Sequence, residues 1–267
     1  MVFIRLLVIV FLTLQQIYAF EKRTFDTSDL DEASGLLASR IYPGIFWSHN
    51  DSGGKARLYA IDSKNMKVIA QIKIEGAKNV DWEDLCYHHG KIIIADTGNN
   101  KNNRDNLKLY VIDEPNPFED KRVDVDKTIN FTFSDQKSLK PKEKNFDCEA
   151  IFSFNGALYL LSKHRADTNT TLYHLQGNSA QKVMEYPIGG RVTGADSDGK
   201  RIVVLSYENI YLFEPKKGVK KLLSGVIKRK YLGDIGQIEG VTLEGELIYI
   251  ISESGSIFTV PIRELYE

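Results

Sequence analysis

Residues 79–100 read NVDWEDLCYHHGKIIIADTGNN. Asp81-Trp82-Glu83-Asp84-Leu85 is an acidic cluster running into a short apolar strand, and residues 91–95 form a second, isoleucine-rich strand that ends in Asp96-Thr97-Gly98-Asn99-Asn100. Gly90 lies in the turn between them. Two short strands joined this way pair antiparallel, so the start of the first and the end of the second share one edge. Asp81, Glu83 and Asp84 are therefore expected beside Asp96 and Asn99. Oxygen side chains gathered at a sheet edge either hold a hard cation or cap strand ends.

The same phrase recurs along the chain. A short acidic or hydroxyl residue, a small or acidic one and an aliphatic one open a strand at Ser34-Gly35-Leu36, Glu83-Asp84-Leu85, Glu149-Ala150-Ile151, Thr193-Gly194-Ala195 and Glu239-Gly240-Val241, at spacings of 49, 66, 44 and 46 residues. A second strand follows each, ending in Ser48-His49, Ala95-Asp96, Ser162-Lys163, Ser206-Tyr207 and Ser252-Glu253. A third carries an aromatic: Tyr59, Tyr110, Tyr173, Tyr211 and Phe258. A weaker fourth is legible in four copies, over residues 68–74, 128–133, 182–186 and 228–232. The last copy has none, and residues 22–25 are free to supply it. Four-stranded units of about 40–50 residues, closed by one terminus, are the signature of a β-propeller. The prediction is an all-β chain of five blades, each of four antiparallel strands. A polar insertion, residues 116–144, stretches the one long spacing; six blades are the alternative if it hides a degenerate unit.

Composition narrows the function classes. The chain has 267 residues and a formal net charge of -1, which argues against a nucleic-acid binder, since that needs a basic footprint. The lysines over residues 216–230 read as a solvated sheet edge. Arg5 and the apolar run of residues 6–14, broken by Gln15 and Gln16, read as a secretory signal peptide cut near Ala19, because nine apolar residues are too few to span a bilayer. A single propeller domain over residues 20–267 is expected, monomeric and secreted or periplasmic, with no stable membrane span. Cys86 and Cys148 sit on equivalent strands at offsets too far apart for a disulfide, so two buried thiols are expected. Sequons begin at Asn50, Asn130 and Asn169 and matter only in a eukaryotic secretory pathway.

In a propeller the first strand of each blade lines the central channel, and the loop entering it opens on the same face as the loop leaving the second strand. The reference positions Ser34, Glu83, Glu149, Thr193 and Glu239 should then ring one mouth, with Glu32, Asp81, Asp84, Asp147 and Asp196 adding charge. The second-strand ends bring His49, Asn50, Asp51, Asp96, Lys163, Arg165, Tyr207 and Glu253 to the same face. Converging carboxylates repel unless a proton or a cation compensates. Calcium takes six to eight oxygens in irregular geometry and suits such a ring; Glu83, Glu149, Glu239, Asp81 and Ser34 are the expected ligands. No Cys cluster points to structural zinc, and the adjacent His88-His89 pair is not spaced for chelation. His49 titrates near neutrality and is, with Asp96, the candidate proton carrier. Lys163 and Arg165, with Tyr207 and Glu253, are candidates to hold a ligand. Trp47 and Trp82 read as packing. No nucleophile motif is present.

The segments Glu32-Ala33-Ser34-Gly35-Leu36, Asp147-Cys148-Glu149-Ala150-Ile151, Leu205-Ser206-Tyr207-Glu208 and Gln237-Ile238-Glu239-Gly240-Val241 resemble the blade openings of the SdiA-regulated family of extracytoplasmic β-propellers. His49-Asn50-Asp51-Ser52-Gly53, Asp81-Trp82-Glu83-Asp84-Leu85 and Ala95-Asp96-Thr97-Gly98-Asn99-Asn100 resemble a set found together in uncharacterised secreted propellers of bacteria. This resemblance spans the mature chain and implies a fold more than an activity. Calcium-dependent lactonase, esterase and phytase propellers are more distantly similar in their acidic channel mouths, but no match to their catalytic dyads is evident. Three functions follow as expectations: calcium-assisted binding of a small molecule or an extracellular protein partner at the mouth; a calcium-dependent hydrolase of lactones, esters or phosphoesters at the same site; and a metal-free interaction scaffold that uses the insertion.

Overall fold

The computed structural model describes residues 20–25, 30–140, 145–224 and 226–266. The expected signal peptide lies outside them. The strands are β1 (Glu21–Thr24), β2 (Ala33–Ala38), β3 (Ile45–Asn50), β4 (Arg57–Asp62), β5 (Lys67–Glu75), β6 (Trp82–His88), β7 (Lys91–Asp96), β8 (Lys108–Ile112), β9 (Arg122–Asp124), β10 (Lys127–Asn130), β11 (Thr132–Phe133), β12 (Asp147–Phe154), β13 (Ala157–Lys163), β14 (Thr170–Gln176), β15 (Ser179–Tyr186), β16 (Val192–Ser197), β17 (Ile202–Ser206), β18 (Asn209–Phe213), β19 (Val226–Tyr231), β20 (Ile238–Glu244), β21 (Leu247–Ser252) and β22 (Ser256–Pro261).

Five antiparallel blades result, and the inside strand of each is the one the sequence phrase opens: β2, β6, β12, β16 and β20. Neighbouring inside strands touch all the way round, β2 to β6, β6 to β12, β12 to β16, β16 to β20 and β20 back to β2. The last blade, β20-β21-β22, is completed by β1 from the N-terminus, in register Glu21 to Thr259 through Thr24 to Ser256. Phe20 extends that closure by stacking on Phe258 at 5.6 Å.

The insertion forms no blade of its own among the described residues. It is shared out: β9 pairs parallel with β5 on blade 1, β10 is the fourth strand of blade 2, and β11 pairs parallel with β15 on blade 3. The expected fourth strand over 128–133 is thus split, and Phe131 and Phe133 drop into the core between blades 2 and 3.

The core is five apolar wedges, one between each pair of neighbouring blades. Both tryptophans are fully buried in the wedge between blades 1 and 2, and the indole N–H groups of Trp47 and Trp82 donate to Glu114 Oε1 and the Lys78 carbonyl. Cys86 and Cys148 are buried free thiols in one wedge. The small residue after the reference position has a steric cause. A Cβ on Gly240 would lie 2.6 Å from the Leu36 nitrogen and the Ser34 carbonyl oxygen, and one on Gly194 would lie 2.9 Å from the Glu239 carbonyl oxygen. Five inside strands close into a ring only where backbone can meet backbone.

Candidate functional site

Every inside strand is irregular at the same place. Pairing slips between Ala33 and Leu36, Trp82 and Asp84, Cys148 and Ala150, Val192 and Gly194, and Ile238 and Gly240. The residue left over at each slip is the reference position: Ser34 (with Gly35), Glu83, Glu149, Thr193 or Glu239. A β-bulge takes one residue out of the alternation and re-aims its side chain. This is how five residues of unlike chemistry come to one end of the channel, all of them buried.

The acids there fall into two groups that share Glu83. Oxygens of Asp51, Asp81 and Glu83 lie within 4.8 Å of one another, and so do oxygens of Glu83, Asp147 and Glu149. Glu83 is 6 % exposed, and among the described residues its carboxylate receives no hydrogen bond and no ion pair. Its carboxyl is held well above the usual range by burial and then by Glu149, Asp51, Asp147 and Asp81. Burial likewise raises Asp51, with Asp81 adding to it, to about 6. Asp81 is also pushed to about 6 by burial, against the pull of Arg104. Both are half-buried, so this group reaches solvent. Asp51 Oδ1 is enclosed without a hydrogen-bond partner.

Local structure holds the group in place. Asn79 donates from Nδ2 to the carbonyls of Asn50 (2.9 Å) and Asp51 (2.5 Å), while its Oδ1 accepts from Trp82 N, so the end of blade 1 is clamped to the entry of blade 2. Thr97 N and Gly98 N both donate to the Asp81 carbonyl at 3.1 Å. Gly98 leaves the space into which two carboxylates fit: a Cβ there would lie 2.0 Å from Glu83 Oε1 and 2.4 Å from Asp81 Oδ2.

The second group carries its own counter-charge. Lys163 Nζ donates to Glu149 Oε2 at 3.0 Å, Arg165 Nε to Asp147 Oδ2 at 2.5 Å, and Arg165 Nη2 to Glu149 Oε1 at 3.2 Å. Burial works against the Lys163 ammonium, but Glu149, Glu239 and Tyr207 overcome it and hold the proton above the ordinary lysine range. Its Nζ lies 4.8 Å over the Tyr207 ring. Asp147 also accepts from Asn99 N at 2.5 Å, and burial with Glu149 raises it to about 7. Burial sets Glu239 at about 8, Lys163 lowering it and Glu149, Glu253 and Asp51 raising it. Glu253 is half-exposed at the rim, where it accepts from Gln237 Nε2.

The remaining candidates are more enclosed. Ser34 Oγ donates to the Glu83 carbonyl at 2.9 Å and ties blade 1 to blade 2. Asp96 is fully buried; its Oδ1 accepts from Arg104 Nη2 at 2.7 Å and Asp81 N at 3.1 Å, and its Oδ2 has no partner. His49 is fully buried, bonded through Nδ1 to the Asn50 carbonyl, edge-on to Trp82 at 5.6 Å, and without a partner for Nε2. Burial lowers it to about 4, so near neutrality it is an uncharged imidazole. Two acids expected on the entering loops are instead stitches. Asp84 accepts from Leu85 N (2.8 Å), Ile151 N (2.9 Å) and Ala195 N (3.3 Å), joining blades 2, 3 and 4 across the channel. Asp196 accepts from Ser197 N, Leu243 N and Thr242 Oγ1, joining blades 4 and 5. A third acidic group, His164, Asp167 and Glu185, lies on blade 3, but both ring nitrogens of His164 are spent, on Asp167 and Thr171.

Sequence reasoning placed Asp51 at the mouth but outside the ligand set, and it did not single out Asn79 or Gly98. Asp51 pairs with Glu32 as Lys163 pairs with Asp147 and Glu253 with Gln237, so it stands in step with Lys163 and Glu253; aligning the second strands on their small residue set blade 1 two positions off and hid this.

Among solved structures, the chain is similar to the PQQ-bound aldose sugar dehydrogenase of Streptomyces coelicolor, with a TM-score of 0.56 at 9% identity over 91% of this chain and 98% of that one. It is also similar to the glutaminyl cyclase of Myxococcus xanthus, with a TM-score of 0.51 at 11% identity over 90% and 93%. The likeness is one of fold: these neighbours are β-propellers. No family model matches the chain, and no curated protein matches it by sequence. No helix among the described residues is long and apolar enough to cross a membrane.

Proposed function

We propose that this chain is an extracytoplasmic propeller, of the SdiA-regulated type, that takes calcium at its channel mouth and uses the loaded mouth to bind a small ligand or an extracellular protein. One observation carries the reading: Glu83 is a buried carboxylate that faces only other carboxylates and has no compensating partner among the described residues. A buried charge is paired, protonated or metal-bound. The donors are all carboxylate oxygens, which suits a hard cation that tolerates irregular geometry and excludes the nitrogen and sulfur set zinc prefers. Half-buried Asp51 and Asp81 leave the cation a route to solvent and room for a ligand oxygen or water. The apolar run of residues 6–14 supports export, where calcium is abundant.

Glu83→Gln tests this reading. Loss of one carboxylate should weaken calcium binding by about ten-fold or more, since affinity is tuned by ligand charge count. Without calcium the variant should unfold at or above the wild-type temperature, because a repelling charge has been removed. Unchanged calcium affinity would end the reading.

A further inference from the structure

The mouth is not evenly acidic, and its asymmetry bears on how many ions it holds. By the pairing across the mouth, the five equivalent ends of the second strands are Asp51, Thr97, Lys163, Tyr207 and Glu253, which puts Asp51 rather than His49, and Thr97 rather than Asp96, in step with Lys163. Lys163 alone among them is a permanent cation. Its side chain is 5 % exposed and is turned inward onto Glu149, while Arg165 beside it covers Asp147 and the other oxygen of Glu149. Glu83, Asp147 and Glu149 would otherwise form a second cation site, sharing Glu83 as a bridge with Asp51 and Asp81. Two of its three acids already spend their charge on buried or half-buried N–H donors. A metal ion placed among them would have to displace the ammonium or stand against it in a medium that screens poorly.

Nothing comparable occupies the other group. Among the described residues only burial and other carboxylates act on the Glu83 carboxyl, Asp51 Oδ1 is enclosed without a partner, and Gly98 keeps clear the space in which the Glu83 and Asp81 carboxylates lie side by side. Arg104 is engaged with Asp96 and the Gly98 carbonyl.

We propose that the mouth takes one divalent cation and not two. It binds off the channel axis at Asp51, Asp81 and Glu83, and the Lys163 ammonium is the chain's own substitute for a second ion on Glu149. This rests on the reading of the mouth as a calcium site and fixes its place and stoichiometry. Glu149 and Glu239, expected as ligands from the sequence, become the anionic lining that holds Lys163.

The test is calorimetric titration of calcium chloride into the EDTA-stripped chain, wild type beside Asp51→Asn, Glu149→Gln and Lys163→Met. The expected results are one ion per wild-type chain, an affinity about ten-fold or more weaker in Asp51→Asn, and a change of less than about three-fold in Glu149→Gln, which removes no ligand. Lys163→Met should gain a second equivalent of calcium. Two ions per wild-type chain, or an equal loss in Asp51→Asn and Glu149→Gln, would overturn the inference while leaving the mouth a calcium site. No calcium binding to the wild type would overturn both. If Lys163→Met does not fold, the wild-type stoichiometry and the contrast between Asp51→Asn and Glu149→Gln still decide.

Discussion

Gly98→Ala separates the stability of the propeller from the integrity of its mouth. The new methyl would lie 2.0 Å from Glu83 Oε1 and 2.4 Å from Asp81 Cγ and Oδ2. Those are the far ends of side chains, and Gly98 does not have the left-handed backbone that would add strain of its own. The cheap response is for both carboxylates to swing aside, which also relieves their mutual repulsion. The calcium-free variant should therefore lose no more than about 1 kcal/mol, the low end of overpacking costs. Binding is another matter. Calcium at about 100 times its Kd stabilises the wild type by about 2.7 kcal/mol, or about 5–10 °C at about 2–4 °C per kcal/mol for a chain of this size. If displacing each carboxylate weakens binding about ten-fold, two displaced ligands leave about 0.4 kcal/mol at the same calcium concentration. The assay is a pair of thermal scans, in EDTA and in calcium, for both proteins. A Gly98→Ala chain that keeps the full calcium increment would refute the placement of the cation against Glu83 and Asp81.

Three further outcomes are expected. Asp84→Ala removes the acceptor from three buried N–H groups in three blades, and at about 1–3 kcal/mol per orphaned group it should cost about 3 kcal/mol or more in chemical denaturation; a loss under about 1 kcal/mol would contradict the stitching role. Deleting residues 20–24 strips the closing strand and uncovers Phe258, so unfolding should shift down by at least about 2 kcal/mol, the worth of one large apolar side chain; an unchanged denaturation midpoint would mean the last blade closes without β1. The mouth acids also set a pH dependence. Their pKa values are raised in the folded chain, so the stability they contribute is fully present below about 4. It is lost as pH rises through about 6 for Asp51 and Asp81, about 7 for Asp147 and about 8 for Glu239. The calcium-free melting temperature should fall across this window and the calcium increment should grow; a calcium-free protein that gains stability from pH 5 to 8 would contradict the cluster.

The fold was legible because its tightest constraint is local. Gly35, Gly194 and Gly240 must be small for the inside strands to touch, and a bulge precedes each, so the opening phrase of every blade survives in the sequence. The insertion was less legible. Its strands β9 and β11 join two different blades by parallel edge pairing, which depends on which sheet edge passes nearby and leaves no periodic trace. The site was half legible. The bulged acids were visible as a ring, but a ring read from sequence treats equivalent positions alike. It did not distinguish Glu83, which has no partner, from Glu149, which is covered by Lys163 and Arg165. Asp84 and Asp196 look like mouth acids by spacing, yet they are committed to backbone N–H groups of neighbouring blades. That commitment follows from the narrowness of the channel, a three-dimensional fact.

The measurement to make first is the thermal unfolding of the wild-type chain in EDTA and in saturating calcium at neutral pH. A cation held by Asp51, Asp81 and Glu83 predicts a rise of about 5 °C or more at about 100 times its Kd. Coincident curves would mean that protons alone balance the buried carboxylates, and that the mouth is a metal-free surface.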